Sequence, residues 1–401
     1  MIVNFKATYR VVTPMFCGGA DGAPELRLPS FKGVLRYWWR AWYWSRCGGD
    51  LNELKRLEDE LFGSAAGGQG RVLLRWGEET EPLATVAPGT VLEDSQTREV
   101  VGDGARYLGY GVMEAFGSNN KGTKAGQLTR GCFAASAPQL PTMTVHLRCR
   151  DLETAEEDSV IAALKLVGLL GGMGAKSRKG YGSLAMSLLA RETETIWTPP
   201  ADLVSLKHCL RDVLQPMTGD AYPEITAFSN QARIVLITAG KQLSPLGLLN
   251  LVGREMVRYR SYGKNGLILN KIPSEKNFQQ DHDIMRIGPR DTYPERIAFG
   301  LPHNYGAEKK DEVGPADPRL DRRASPLLIH VHPLAGRVVA ILSFLPSVFL
   351  PKHARMISVG GRKHRLEQED QIYKPVVRFL DRLVTGKARQ EPFGEALEVL
   401  T

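Results

Sequence analysis

The first dozen residues alternate apolar with polar or basic positions: Ile2, Val3, Phe5, Ala7, Tyr9 and Val11 stand among Asn4, Lys6, Thr8 and Arg10. A period of two is the mark of a half-buried strand, here spanning 2 to 13. A turn-rich stretch from Pro14 to Pro29 follows, with Gly18-Gly19-Ala20-Asp21-Gly22 at its centre. The period then changes. Ser30 is the expected N-cap of a helix from Phe31 to about Arg46. In it Val34, Leu35, Trp38 and Trp42 recur at spacings of three and four, and Lys32, Arg36, Arg40 and Arg46 form a separate basic stripe. One face is expected to pack and the other to grip an anion.

Residues 63 to 70 are small and turn-forming, and Arg71 to Trp76 reads as a second strand. From Gly77 to Pro141 the pattern weakens, and the Gly, Asn and Lys around Gly117 to Gly131 suggest a long insertion or mobile loop outside the core. Thr142 to Arg150 alternates again, Leu152 to Leu170 has helical periodicity, and Ser183 to Leu189 is a closing strand. The order strand, helix, two strands, helix, strand is a ferredoxin-like plan with insertions. Arg191 to Glu224, with Thr198-Pro199-Pro200, Pro216 and Pro223, reads as a linker holding one short helix near Val204 to Leu214.

The order then restarts. Arg233 to Thr238 is a β-branched strand, Ser244-Pro245 opens a helix to about Tyr259, and Arg260 to Pro294 is a second polar, basic insertion. Arg296 to Leu301, Pro326 to His332 and Val338 to Leu345 read as strands, and Ile372 to Val384 as a late amphipathic helix. The expected fold is α+β, with an N-terminal ferredoxin-like (RRM-like) module over 1–190, a linker over 191–224 and a more degenerate second module over 225–401.

A chain of 401 residues, 43% of them hydrophobic, has ample core material for two domains. No stretch approaches the roughly 20 apolar residues of a membrane span, and the start lacks the layout of a secretory signal, so a cytoplasmic location is expected. Five scattered cysteines without a C-x-x-C pair argue against a disulfide framework or a zinc site. With 52 Lys and Arg against 44 Asp and Glu, the net charge is +8, compatible with a polyanionic partner.

The sharpest local feature is Gly171 to Gly182, where five glycines interleave with Lys176, Arg178 and Lys179 between a helix and a strand. Small residues let backbone N–H groups and cations come close to phosphates. It is neither a Walker A loop, which requires glycine at the positions of Leu170 and Ala175, nor a dinucleotide fingerprint, because it leaves a helix instead of opening one. The aromatic run Tyr37-Trp38-Trp39-Trp42-Tyr43-Trp44 invites base stacking, but its spacing places Trp38 and Trp42 in the core, with Tyr37 and Trp44 free to face either way. His330 and His332 on one strand face read as packing, and Gly48-Gly49-Asp50 as a helix C-cap, since Leu51 stands where a second metal-binding Asp would be needed in a polymerase-like turn. No metal or cofactor is expected.

Thr13 to Asp21 continued through Leu28-Pro29-Ser30-Phe31-Lys32-Gly33-Val34-Leu35-Arg36-Tyr37-Trp38-Trp39-Arg40, the loop ending Lys176-Ser177-Arg178-Lys179-Gly180-Tyr181-Gly182-Ser183, and Arg322-Arg323-Ala324-Ser325-Pro326-Leu327 together resemble one family. It is that of the first subunits of type III-B CRISPR (Cmr) effector complexes, tandem proteins of the RAMP superfamily. The resemblance implies a non-catalytic, RNA-holding subunit for antiviral defence at the head of a ribonucleoprotein filament. Its partners would be the crRNA in its 3′ part, the target single-stranded RNA and the other Cmr subunits, with no membrane involved. The RNA-binding candidates are Lys32, Arg36, Arg40, Lys176, Ser177, Arg178, Lys179, Tyr181, Arg322 and Arg323. The other reading is a metal-dependent RNA endonuclease of the RAMP class acting through Asp21, with Glu25 nearby.

Overall fold

The computed structural model describes every residue except Ala20, Asp21, Glu81, 136–139, Pro216, Thr218, Asp220, Lys264, Asn265, Asn270, Pro289, Ala307 and Thr401. Its frame is a mixed α+β arrangement of antiparallel sheets. In the first, β1 (Ile2–Val11) is central, as its strict alternation demands: Phe5, Ala7, Tyr9 and Val11 are all buried on one side. It pairs with β3 (Thr142–Arg150) and with β4 (Leu184–Arg191), and β2 (Val72–Trp76) adds to the far side of β3, giving the order β2-β3-β1-β4 with Glu194–Thr195 at the edge. Helices α1 (Leu28–Tyr43) and α4 (Thr154–Leu169) follow the first and third strands and pack on each other.

A second sheet repeats this order. Its strands are β5 (Arg233–Ala239), β6 (Leu327–Leu334), β7 (Arg337–Phe344) and β8 (Phe393–Leu400), arranged β6-β7-β5-β8. Helix α6 (Pro245–Arg260) follows β5, and α8 (Glu369–Thr385) follows β7. The final strand β8 went unread in the sequence because Phe393-Gly394-Glu395-Ala396 interrupts the alternation; its pairing with β5 indeed slips register there. The helix α5 (Leu203–Leu214), expected within 191–224, forms and turns Leu203, Leu206, Leu210 and Val213 into the core.

Several local expectations need correction. Helix α1 starts three residues before Phe31, because Pro29 suits the first turn, where its missing N–H costs nothing. Gly48-Gly49-Asp50 is less an end than a beginning: the Asp50 carboxylate accepts from the backbone N–H groups of Asn52 and Glu53 and caps a further helix, α2 (Leu51–Phe62). Arg296 to Leu301 is not a strand; Glu295–Phe299 is a 3-10 turn, with the Asp281 carboxylate receiving the N–H groups of Glu295 and Arg296.

The described residues of 77–141 include a packed core segment between Leu92 and Leu128, where the sequence suggests a mobile loop. Its helix α3 (Asp103–Leu108) lies against α6 at a glycine-to-glycine crossing, where a Cβ on Gly253 would stand 2.0 Å from the Gly104 carbonyl oxygen. Leu92, Val101, Ala105, Leu108, Val112 and Leu128 from this stretch share one hydrophobic cluster with Val235, Leu249 and Ile329 of the second sheet's layer. Within 260–294, Gln279–Arg286 forms a further helix, α7.

Candidate nucleic-acid interface

The loop Gly171 to Gly182 leaves α4 and turns back into β4. It is braced on two sides. Backbone bonds run from Ala175 N to Phe16 O (2.9 Å) and from Gly182 N to Pro14 O (2.9 Å), while Ile329 N of β6 donates to Arg178 O (3.1 Å). The Thr13 hydroxyl donates to Gly180 O at 2.7 Å and receives Ser183 N at 3.0 Å. Gly182 is required: it has φ +62°, and a Cβ there would sit 2.1 Å from Met173 O. The loop is therefore a rigid bridge between the two sheets, and its cations are presented from a fixed backbone.

Arg178 reaches across this bridge. Its Nη1 donates to the Tyr37 hydroxyl of α1 at 3.2 Å and its Nη2 to the Ser325 carbonyl at 2.5 Å, while Nε is buried without an acceptor among the described residues. Lys179 is partly exposed along its stem, but its Nζ is turned away from solvent and has no acceptor there either. Burial, helped by the charges of Arg260, Arg178 and Lys176, lowers its amine to about 7. Burial and Arg130 also lower the half-buried Lys176. Arg260, at the end of α6, donates to the Tyr107 hydroxyl at 3.2 Å and leaves its Nε unmatched. His303 is pushed down to about 3 by burial and then by Arg260 and Arg296. Among the described residues no carboxylate lies within ion-pair reach of Lys176, Arg178, Lys179 or Arg260.

The basic stripe of α1 has a different fate. Arg36 and Arg40 both hold the Glu58 carboxylate of α2 at 2.5 Å, a side chain only 3% exposed, and Arg36 also donates to Gly63 O. Arg46 lies over the Trp42 ring and donates to its carbonyl. Lys32 is half-buried and its amine lowered, by burial first and then by Arg36. The helix face opposite the loop is instead Ser30, Gly33, Val34 and Tyr37. One groove lined jointly by the α1 arginines and the loop cations is thus not built; α2, unread in the sequence, supplies the acid that engages them.

Tyr181 also needs correction as an RNA contact. It is fully buried, packs edge-on against Phe16 and donates to Ala105 O at 2.8 Å. Arg323 donates to Ser347 and Tyr373, lies over Phe349 and, like Arg178, keeps a buried Nε without an acceptor among the described residues, whereas Arg322 is exposed and Ser177 half-buried at the loop surface. Asp21 lies outside the described residues, and Glu25 is exposed, 3.9 Å from Arg27. Trp38 and Trp42 are core as expected, joined by Trp39, whose Nε1 donates to Ser159 at 2.8 Å, and by Trp44. His330 and His332 are buried, with His330 Nδ1 against Gly171 O at 2.8 Å. Sequence reasoning missed Arg260. Nothing separates it from Arg254 and Arg258 on the same helix except that both of those meet Glu391 at 3.0 Å.

Among the described residues no three His, Cys, Asp or Glu side chains gather as a metal site, and no helix is long and apolar enough to cross a membrane.

Known proteins share this sequence and fold in part. The RAMP superfamily model matches residues 8–185, the span from β1 through the Gly-rich loop into β4. Two curated proteins of Pyrococcus furiosus are similar: the CRISPR system Cmr subunit Cmr1-2, 28% identical over 44% of this chain and 92% of its own length, and Cmr1-1, 25% identical over 82% of this chain and 83% of its own. In fold the chain is similar to the crystal structure of apo Cmr1 from Pyrococcus furiosus, with a TM-score of 0.55 at 18% identity over 99% of this chain and 98% of that one. Over residues 8–185 the chain matches the RAMP superfamily, and along most of its length it is similar to Cmr1 subunits of CRISPR systems.

Proposed function

We propose that the protein is a non-catalytic, RNA-holding subunit of a type III-B CRISPR (Cmr) effector complex. In this reading it sits at the head of the assembly, in the cytoplasm, and contacts the 3′ part of the crRNA and the target RNA. The recurrent strand order of the two sheets supports reading them as tandem ferredoxin-like modules, 1–190 and 225–401, joined through 191–224. The two curated relatives, both described as Cmr subunits, support the assembly role.

The observation that carries the RNA reading is the surplus of positive charge at the Gly-rich bridge. Arg36 and Arg40 of α1, Arg254 and Arg258 of α6, and Arg378 and Arg382 of α8 all find carboxylates. Lys176, Arg178, Lys179 and Arg260 do not. Buried cationic nitrogens without acceptors are costly, and a phosphate oxygen is the partner they lack. Contacts of this kind grip backbone and carry little sequence preference.

The test is reconstitution with the remaining Cmr subunits and a crRNA, together with titration of the free chain by single-stranded RNA at several salt concentrations. Expected are incorporation into the complex and RNA binding whose log K falls with log salt. In a Lys176→Ala/Arg178→Ala/Lys179→Ala variant the slope should shrink by about 0.7 for each phosphate that no longer meets a cation. Salt-independent binding, or a complex that captures target RNA equally well with that variant, overturns the reading.

A further inference from the structure

Resting on the RNA reading, we propose that the cavity between α1 and the Gly-rich loop is a nucleobase pocket, which takes one base flipped out of a single strand lying along the loop. The cavity measures about 280 Å³. That falls just under the lower end of ordinary small-molecule sites, about 300 Å³, a size for a planar ring and not for a whole nucleotide. Tyr37 and Trp38 give it an aromatic wall, their rings meeting edge to face at 5.2 Å and 86°. Trp38 is itself backed by Phe228, stacked at 6.0 Å, so the wall is held in place before any ligand arrives.

The polar edge comes from the loop. Arg178 lines the cavity with its Nε unpartnered and buried, and Ser177 and Ser30 add hydroxyls beside it. Of the lining residues only Arg178 is charged, and the nearby cations Lys176 and Lys179 belong to the same loop. A base is the part of RNA that fits an apolar, aromatic slot edged by one guanidinium, and its phosphate then falls among cations lacking a carboxylate. Proteins that read single-stranded RNA commonly splay bases onto aromatic rings and guanidinium planes in this way.

Gly33 supplies the means of testing it. It lines the cavity, and a Cβ there would meet nothing within 4 Å, so the backbone at this point accepts a side chain that competes with a ligand for the slot. The experiment uses short single-stranded RNAs carrying one 2-aminopurine at successive positions, bound by the assembled complex or the full chain. One position is expected to change its fluorescence strongly on binding. Gly33→Phe should abolish that change and weaken binding by about 5- to 150-fold, the worth of one stacked base, with the salt slope unaltered. An abasic site at that position should weaken binding to the parent protein while leaving binding to Gly33→Phe unchanged.

If Gly33→Phe fails to fold, by its thermal melt, Tyr37→Leu carries the same cycle. Additive losses from the abasic RNA and the protein variant overturn the pocket while leaving RNA binding in place. Absence of any RNA binding by the parent chain and complex overturns the RNA reading, and the pocket with it.

Discussion

Arg178 on the Gly-rich loop donates to the Tyr37 hydroxyl of α1 at 3.2 Å, and its other terminal nitrogen holds the Ser325 carbonyl that precedes β6. One guanidinium thus ties together the first helix, the loop and the second sheet. Lysine has the charge but lacks the planar fork, so it cannot span both partners. Arg178→Lys is expected to lose about 1 to 2 kcal/mol of stability and to weaken RNA binding, whereas Tyr37→Phe, which keeps the ring, should lose only about 1 kcal/mol. Denaturant melts of the two variants beside RNA titrations check this. Equal RNA affinity for Arg178→Lys and the parent would reduce the arginine to a structural tie.

Lys179 makes stability depend on pH. Burial holds its folded amine near 7, against 10.5 ordinarily, so between those values the unfolded chain carries a proton that the folded one lacks. Stability contributed by this group therefore rises with pH from about 7 to 10.5, and the whole penalty is present at and below pH 7. Lys179→Met should raise Tm by more than about 2 °C at pH 6, with the gain fading as the pH climbs towards the ordinary lysine range. A lower Tm at pH 6 would make the amine a needed donor.

The same amine should take up a proton when a phosphate arrives, since an anion favours its charged form. Calorimetry of RNA binding at pH 8 in buffers of different ionisation heat is expected to report net proton uptake by the parent chain, reduced in Lys179→Met. Identical proton counts for both proteins would place the phosphate elsewhere.

Glu58 anchors Arg36 and Arg40 from a nearly fully buried position. Glu58→Ala leaves Arg40 without its acid and Arg36 with only Asp59 at 3.7 Å, and because each guanidinium is about a quarter to a third exposed the cost is expected at about 1 to 3 kcal/mol, below that of breaking a fully buried pair. The freed cations should strengthen non-specific RNA binding at low salt. A variant as stable as the parent, with unchanged low-salt affinity, would show that the pair is not worth its desolvation.

The crossing of Gly104 and Gly253 admits no side chain. Gly253→Ala brings a methyl group into the Gly104 carbonyl and should cost about 1 to 3 kcal/mol by overpacking. Hydrogen exchange is expected to quicken in 77–141 before it does in β1, because α3 depends on this contact. Uniform exchange across the chain would mean the stretch is held by its other core residues.

What the residue pattern determined by itself was local. Alternation marked β1 and β3, an apolar run marked β4, β-branched residues marked β5, helical spacing marked α4, α5, α6 and α8, and glycine interleaved with lysine and arginine marked the loop. These follow from side-chain period and backbone freedom, which neighbouring residues set among themselves. The restart of the order at Arg233 was legible for the same reason, and the motifs of the first helix, the Gly-rich loop and Arg322 to Leu327 carried the resemblance to Cmr1 subunits.

The tertiary structure alone decided which charges were free and which aromatic rings were exposed. Arg36 and Tyr181 read as contacts because a helical stripe of cations and a tyrosine in a basic loop look the same whether or not something covers them. Glu58, 22 residues from Arg36, and Ala105, 76 residues from Tyr181, settle both cases. Arg260 stands out from Arg254 and Arg258 because Glu391, far along the chain, reaches both of those, and Asp103 reaches Arg254, while neither reaches Arg260. An ion pair or a burial is a property of distance in space, and Coulomb attraction and desolvation act across contacts that no local period encodes.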